Sequence, residues 1–215
     1  MVMSFALSIV GFCALMLEIY IRPVRRLWFL MVAVLFEVTY FEEPGYENTD
    51  ETLKIAKSYA EKAGIRSVVV ASTTGFTAQK AAEVFKGFSL IVVTHVTGWR
   101  EPDVQQFPSD LREKLEGQIV KVLTAAHTFS GVDGLVSSGS IGRIVTDTLR
   151  MFCEGMKVAV EITAMAADAG LVRTDKDVIS IAGTGKGADT AIVIKPAISR
   201  RLFNIRIKKI LAKPI

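Results

Sequence analysis

The run Ser67-Val-Val-Val-Ala71, followed at once by Ser72-Thr-Thr-Gly-Phe-Thr77 and then by Ala78-Gln-Lys-Ala-Ala-Glu-Val-Phe85, decides the fold class. A short continuous apolar run ahead of a turn signal reads as a strand buried on both faces. The alanine-rich segment behind it reads as a helix to about Phe85. Where such a strand empties through three hydroxyl residues and a glycine into a helix start, N–H groups without intrahelical partners and the positive helix end face one point. That point attracts a phosphate, which makes Ser72, Thr73, Thr74, Gly75 and Thr77 candidate ligand-binding residues.

Outward from this unit the elements alternate. Val32 to Phe41 reads as a strand, followed by the turn-rich segment 42–48. Asn48 starts a helix with Glu51 completing a capping box, Leu53, Ala56, Ala60 and Ala63 along one face, and Gly64 closing it. Leu90-Ile-Val-Val93 is a second fully apolar strand. Two successive strand–helix–strand units with continuous apolar strands predict an α/β fold: a mostly parallel sheet covered by helices on both faces, a three-layer sandwich. The segment His95 to Pro108 is a long loop of the kind that serves as a ligand lid or binding loop. A short helix over Ser109 to Glu116, a strand over Gln118 to Leu123 and a glycine- and serine-rich loop from Phe129 to Gly142 follow. Ile141 to Ala169 reads as one long helix with a possible break at Gly155. Asp177 to Ala182 and Thr190 to Lys195 are strands joined by Gly183-Thr-Gly-Lys-Gly-Ala-Asp189.

Composition bounds the function. The chain has 215 residues, 50% of them hydrophobic and 22% charged, enough for one full-sized core. Cys13 and Cys153 have neither CxxC nor His partner spacing, so no disulfide framework or zinc site is indicated, which fits a reducing, cytoplasmic setting. Six cations, Arg200, Arg201, Arg206, Lys208, Lys209 and Lys213, fall in the last twenty residues, and taking them from the net +4 leaves −2 for the rest. Nucleic acid is therefore not the expected partner. Phe203 to Leu211 alternates like a strand whose lysines protect a sheet edge. Residues 1–31 form an apolar segment ahead of a single domain over 32–215. They are a marginal membrane span, with Arg22, Arg25 and Arg26 then holding the domain in the cytoplasm, or an over-long gene start before Met31. Only if residues 1–30 are translated does a membrane enter.

Further candidates lie downstream. Gly183-Thr-Gly-Lys-Gly is neither a Walker loop nor a dinucleotide fingerprint, because Gly187 follows Lys186 and a strand follows the loop. It is a tight turn or a backbone wall close to a ligand. Glu161 and Asp168 are seven apart and share a helix face; Glu161 sits among apolar neighbours, able to accept a ligand hydroxyl or act as a base, or else pair with Arg143, Arg173 or a backbone donor. His95 and His127 follow or enter loops and have no nucleophile motif beside them, which favours structural or surface roles. Trp99 stacks on a ligand ring or closes its loop on the core. No metal site is indicated and no catalytic set is visible.

Taken together, Ser72-Thr-Thr-Gly-Phe-Thr-Ala78, Gly183-Thr-Gly-Lys-Gly-Ala-Asp-Thr190 and Ile192-Val-Ile194 resemble the C-terminal α/β domain of pyruvate kinase. Tyr40 to Thr49, Val70-Ala-Ser72 and Val160 to Asp168 resemble stand-alone archaeal proteins of this fold without an assigned reaction. The resemblance runs from about residue 38 to the C-terminus. It implies FMN in the phosphate pocket: Ser72, Thr73, Thr74, Gly75 and Thr77 on the phosphate, Thr94, Thr97 and Gly98 beside the ribityl chain or ring, and Gly183, Gly185, Gly187 and Asp189 as the opposite wall. The pyruvate kinase barrel, with its metal and phosphoenolpyruvate ligands, is missing from this chain, so pyruvate kinase activity is not expected. Three functions follow as expectations: a module binding FMN or another phosphorylated small molecule, a flavin-dependent oxidoreductase, or a membrane-tethered interaction protein. A homo-oligomer is a further possibility.

Overall fold

A computed structural model describes residues 37–131 and 139–215. The N-terminal apolar segment, the start of the expected strand at Val32 and residues 132–138 of the second loop lie outside the described residues.

The buried runs form the middle of a seven-stranded sheet in the order β1-β7-β6-β5-β2-β3-β4. The strands are β1 (Thr39–Phe41), β2 (Ser67–Ala71), β3 (Ser89–Thr94), β4 (Lys121–Thr124), β5 (Val178–Ala182), β6 (Thr190–Lys195) and β7 (Arg206–Pro214). All pairings are parallel except those of β6 with β5 and β7. β2 pairs in register with β3 from Ser67↔Ser89 to Ala71↔Val93, and with β5 at Val68↔Ile179 and Val70↔Ile181. Alternate residues feed two cores. Val68 and Val70 pack under the helices α1 (Thr49–Ala63), α2 (Phe76–Val84) and α3 (Ser109–Glu116), whereas Val69, Ile91 and Val93 pack under the other face. That second face is covered by α4 (Ile141–Arg150) and α5 (Glu154–Asp168). The result is a mostly parallel sheet between two helical layers, an α/β three-layer sandwich.

Several local expectations change. Helix α1 does end at Gly64, in the left-handed region at φ 68° with its N–H donating to Ala60 and Glu61 carbonyls. Its expected capping box does not form, because a 3-10 turn over Tyr46–Asn48 leads into the helix and gives Asn48 helical dihedrals. Asn48 Nδ2 instead donates to the Glu43 carbonyl. The long helix is broken before Gly155, at residues 151–153. There Cys153 is extended and its Sγ accepts the Met156 N–H at 3.3 Å, capping α5. The C-terminal strand is not a sheet edge along its length: β1 pairs with Ala212 to Pro214, and residues 203–204 belong to the 3-10 turn Ser199–Asn204. Only the Arg206–Leu211 part has no outer strand among the described residues, and Lys208 and Lys209 stand there. Among those residues no helix is long and apolar enough to cross a membrane.

Candidate functional site

β2 runs on to β3 on one side and β5 to β6 on the other, so the crevice at the carboxyl ends of β2 and β5 is where ligands bind in open α/β sheets. A cavity of about 1000 Å³ opens there. Its walls come from the loop after β2, the residues after β3 and β4, the turn after β5, and the faces of α4 and α5.

The loop after β2 opens a helix start onto the cavity. Ser72 Oγ accepts the Ala78 N–H at 3.2 Å and the Gly75 carbonyl accepts that of Gln79, so helix geometry leaves the N–H groups of Phe76 and Thr77 to outside partners. Gly75 caps α2 in the left-handed region at φ 91°. Ser72, Thr73, Thr74 and Thr77 line the cavity; Gly75 does not, for its outer side faces α3, where an added Cβ would stand 2.2 Å from Leu111 Cδ2. Gly75 therefore shapes the loop.

The opposite wall is the turn 183–189. Gly183, Gly185 and Gly187 line the cavity together with Lys186, whose ammonium lies 5.2 Å from the Phe76 ring centroid and 5.4 Å from that of Tyr46. Two of these glycines answer to the turn's own packing. A Cβ on Gly183 would come within 2.6 Å of the Gly187 carbonyl, and one on Gly187 within 2.5 Å of Thr49 Oγ1. Asp189 is fully buried and is not a lining residue. Its Oδ2 accepts from Gly45 and Thr184 N–H groups and its Oδ1 from the Thr190 hydroxyl. With Thr49 Oγ1 accepting the Ala188 N–H, it ties the turn to the segment before α1.

At the end of β3, Thr94 lines the cavity but its hydroxyl is engaged with the His95 carbonyl and Thr124 Oγ1. Thr97 and Gly98 are not lining residues. They hold the long loop in shape, Thr97 Oγ1 accepting from Gln105 Nε2 and Gly98 N–H donating to Val104.

The floor comes from α5. Glu161 is buried, and its partners are neither Arg143 nor Arg173, which pair with Asp147 and Asp175. Its Oε1 accepts the Phe129 N–H at 2.9 Å and its Oε2 the Lys157 ammonium at 2.6 Å. Lys157 is only 7% exposed and lines the cavity with it. Lys157 escaped the sequence reading; a Lys–Glu pair four apart in an otherwise apolar helix was the available signal. Asp168 lies outside the cavity, its Oδ1 accepting the Ser199 N–H.

His95, Trp99 and His127 come together in the wall from two different loops, with ring centroids 4.9 to 5.3 Å apart. Neither histidine is a simple surface residue. Burial pushes both pKa values down from the usual histidine range, and for His95 the neighbouring His127 adds to the effect. Protons therefore bind the unfolded chain before they bind these imidazoles. Their contribution to stability is present above the unfolded value near 6.5 and is lost as pH falls through the lowered folded values. Thermal melts between pH 7.5 and 5 should show a declining melting temperature, with a shallower decline in His95→Leu/His127→Leu. An equal slope in that variant would contradict the assignment. Among the described residues no group of three His, Cys, Asp or Glu could hold a metal ion.

Fold and cavity together define an α/β protein with a hydroxyl- and glycine-rich loop and a cavity at the carboxyl edge of its sheet. The family model described as pyruvate kinase, alpha/beta domain matches residues 50–194, and the chain belongs to that family. Among solved structures, it is similar to a pyruvate kinase from Cryptosporidium parvum at 12% identity, covering 67% of this chain and 22% of that one, with a TM-score of 0.36. A second structure described as Cryptosporidium parvum pyruvate kinase gives 12%, 72%, 23% and 0.38, and one of Cryptosporidium parvum pyruvate kinase in complex with ADP gives 13%, 67%, 22% and 0.36. The matched part thus spans less than a quarter of those enzymes.

Proposed function

We propose that the cavity binds a phosphorylated small molecule, FMN being the best candidate, and that the chain acts as a binding module of the pyruvate kinase α/β family. The observation that carries this reading is the Ser72–Thr77 loop, whose free helix-start N–H groups and hydroxyls open onto a cavity that also receives Lys157 and Lys186. An anion gains from N–H donors, helix dipole and ammonium groups at once. The volume is at the upper end of the range for small-molecule and cofactor sites, and the His95–Trp99–His127 rings offer an apolar, aromatic wall beyond the phosphate end. For FMN the fit rests on these features: the loop holds the phosphate, the rings flank the isoalloxazine, and Glu161 or Lys157 faces the chain between. Bound flavin supplies hydride and electron transfer, while the protein orients and shields it.

The test is an absorbance and mass spectrum of the full chain purified without added ligand, followed by titration with FMN. A yellow protein releasing FMN supports the reading, and its bleaching by NADH or NADPH with reoxidation by an acceptor would extend it to a flavin-dependent oxidoreductase. Thr74→Val/Thr77→Val should weaken FMN and inorganic phosphate alike, by ~10-fold or more, at an almost unchanged melting temperature. Binding that survives in this variant would move the anion site elsewhere.

A further inference from the structure

Two buried hydrogen-bonding atoms on lining residues of the cavity, Nδ1 of His95 and Oε1 of Gln106, make no hydrogen bond of ordinary geometry to the described residues, although the Gln106 amide stands near enough to the imidazole to pull its pKa up against the effect of burial. Buried polar atoms in folded proteins are almost always paired, and an unpaired one demands an explanation, a missing ligand among them. A third such atom, Thr52 Oγ1, belongs to α1 and not to the cavity. The position of the pair is fixed by its neighbour. Gln105 donates from Nε2 to the His95 carbonyl at 3.1 Å and to Thr97 Oγ1 at 3.2 Å, and accepts the Phe107 N–H at Oε1. The Gln105 amide thus folds the loop back on the end of β3, holding Gln106 against the cavity beside His95. Trp99 and His127 stand edge-on or tilted to the His95 ring and to each other. The imidazole is kept neutral by burial, which lets Nδ1 serve as donor or acceptor according to its tautomer, whereas Gln106 Oε1 only accepts.

We infer that His95 and Gln106 are the specificity pair of this cavity, reading on a phosphorylated ligand the polar edge of a heteroaromatic ring in which an N–H stands next to a carbonyl. Gln106 Oε1 accepts the ring N–H, His95 Nδ1 donates to the carbonyl, and the Trp99 and His127 rings flank the ring's plane. This rests on the phosphorylated-ligand reading above and deepens it. A sugar phosphate without such a ring fills the anion loop and leaves both atoms unpaired, so it is bound more weakly than a ligand that satisfies them.

The experiment is calorimetric titration of the full chain with three probes: FMN and uridine 5′-phosphate, which both carry an imide edge, and inorganic phosphate, which carries none. The proteins are the native chain, His95→Leu, Gln106→Leu and, with the acceptor kept, Gln106→Glu, each checked by thermal melting. The expected result is a ~10-fold or greater loss of FMN and uridine phosphate affinity in both leucine variants, with phosphate affinity unchanged and Gln106→Glu closer to native. Equal affinity of native and leucine variants for both imide probes overturns the inference. So does a lowered melting temperature with unchanged affinity ratios, the signature of two atoms that serve only each other in the fold. Native protein that binds phosphate but neither imide probe overturns this inference alone; native protein that binds no probe overturns the phosphorylated-ligand reading as well.

Discussion

Glu161→Leu lowers stability by about 3–5 kcal/mol, the cost of leaving a buried charge without its partner. Lys157 is 7% exposed and its ammonium meets the Glu161 carboxylate at 2.6 Å. Removing that carboxylate strands the ammonium under α5 and also deprives the Phe129 N–H of its acceptor. For a domain of this size the loss corresponds to a drop of ~6–20 °C in melting temperature. The two-residue variant Lys157→Met/Glu161→Leu should be near native or more stable, because replacing both members of a buried ion pair by apolar groups is often neutral or stabilising. That contrast separates a desolvated pair from a wet one. If Glu161→Leu costs under ~1 kcal/mol, water reaches the cavity floor and the pair is worth no more than a surface bridge.

The outcome bears on why such a pair is kept. Two charges in the floor of a cavity are an expensive way to hold α5 on the sheet, since an apolar pair would serve the fold as well. The arrangement makes sense where a ligand supplies the remaining partners. Lys157 has three N–H donors and spends one on Glu161.

The sheet's centre was legible because its strands are uninterrupted apolar runs with a glycine or hydroxyl turn behind them; β2 is found at the bounds its sequence predicts, and β3 at Ser89–Thr94 extends the Leu90–Val93 run by one residue at each end. The loop after β2 was legible for the same reason, since strand, turn and helix are contiguous, and Ser72 and Thr77 do border the cavity. What lay beyond reach was anything set by contacts distant in sequence. The aromatic wall joins residues 95, 99 and 127 through two loops without a shared motif. The role of Asp189 depends on Gly45, which is 144 residues away. Glu161 was visible as an odd carboxylate in an apolar helix, but its acceptor role toward Phe129 depends on a loop 32 residues upstream. β7 misled because lysine alternation marks a strand with one solvated side, and that the strand ending at Phe41 pairs with Ala212 to Pro214 is set by a contact between the two ends of the domain, which no local pattern carries.

Gly155→Ala is the second large effect, and its sign runs against helix propensity. In an exposed helix the change would stabilise by about 1 kcal/mol. Here a Cβ on Gly155 would stand 2.2 Å from Thr190 Oγ1, 2.6 Å from Thr190 Cβ and 2.9 Å from Asp189 Oδ1. None of these atoms is the loose end of a flexible side chain. Thr190 is fully buried at the start of β6, its hydroxyl donating to Asp189 Oδ1, and Asp189 in turn holds the 183–189 turn. The helix must therefore lift from β6, an overpacking cost of about 3 kcal/mol and ~6–12 °C in melting temperature. Gly170→Ala is the matching control: its φ of 68° makes a side chain strained, but nothing lies within 4 Å of the added carbon. It should cost about 1 kcal/mol. Lifting α5 also carries Lys157 and Glu161 away from the cavity floor, so Gly155→Ala should weaken phosphate and FMN binding where Gly170→Ala leaves both intact. A Gly155→Ala protein that is more stable than the native chain would mean that α5 and β6 do not approach each other closely at Gly155.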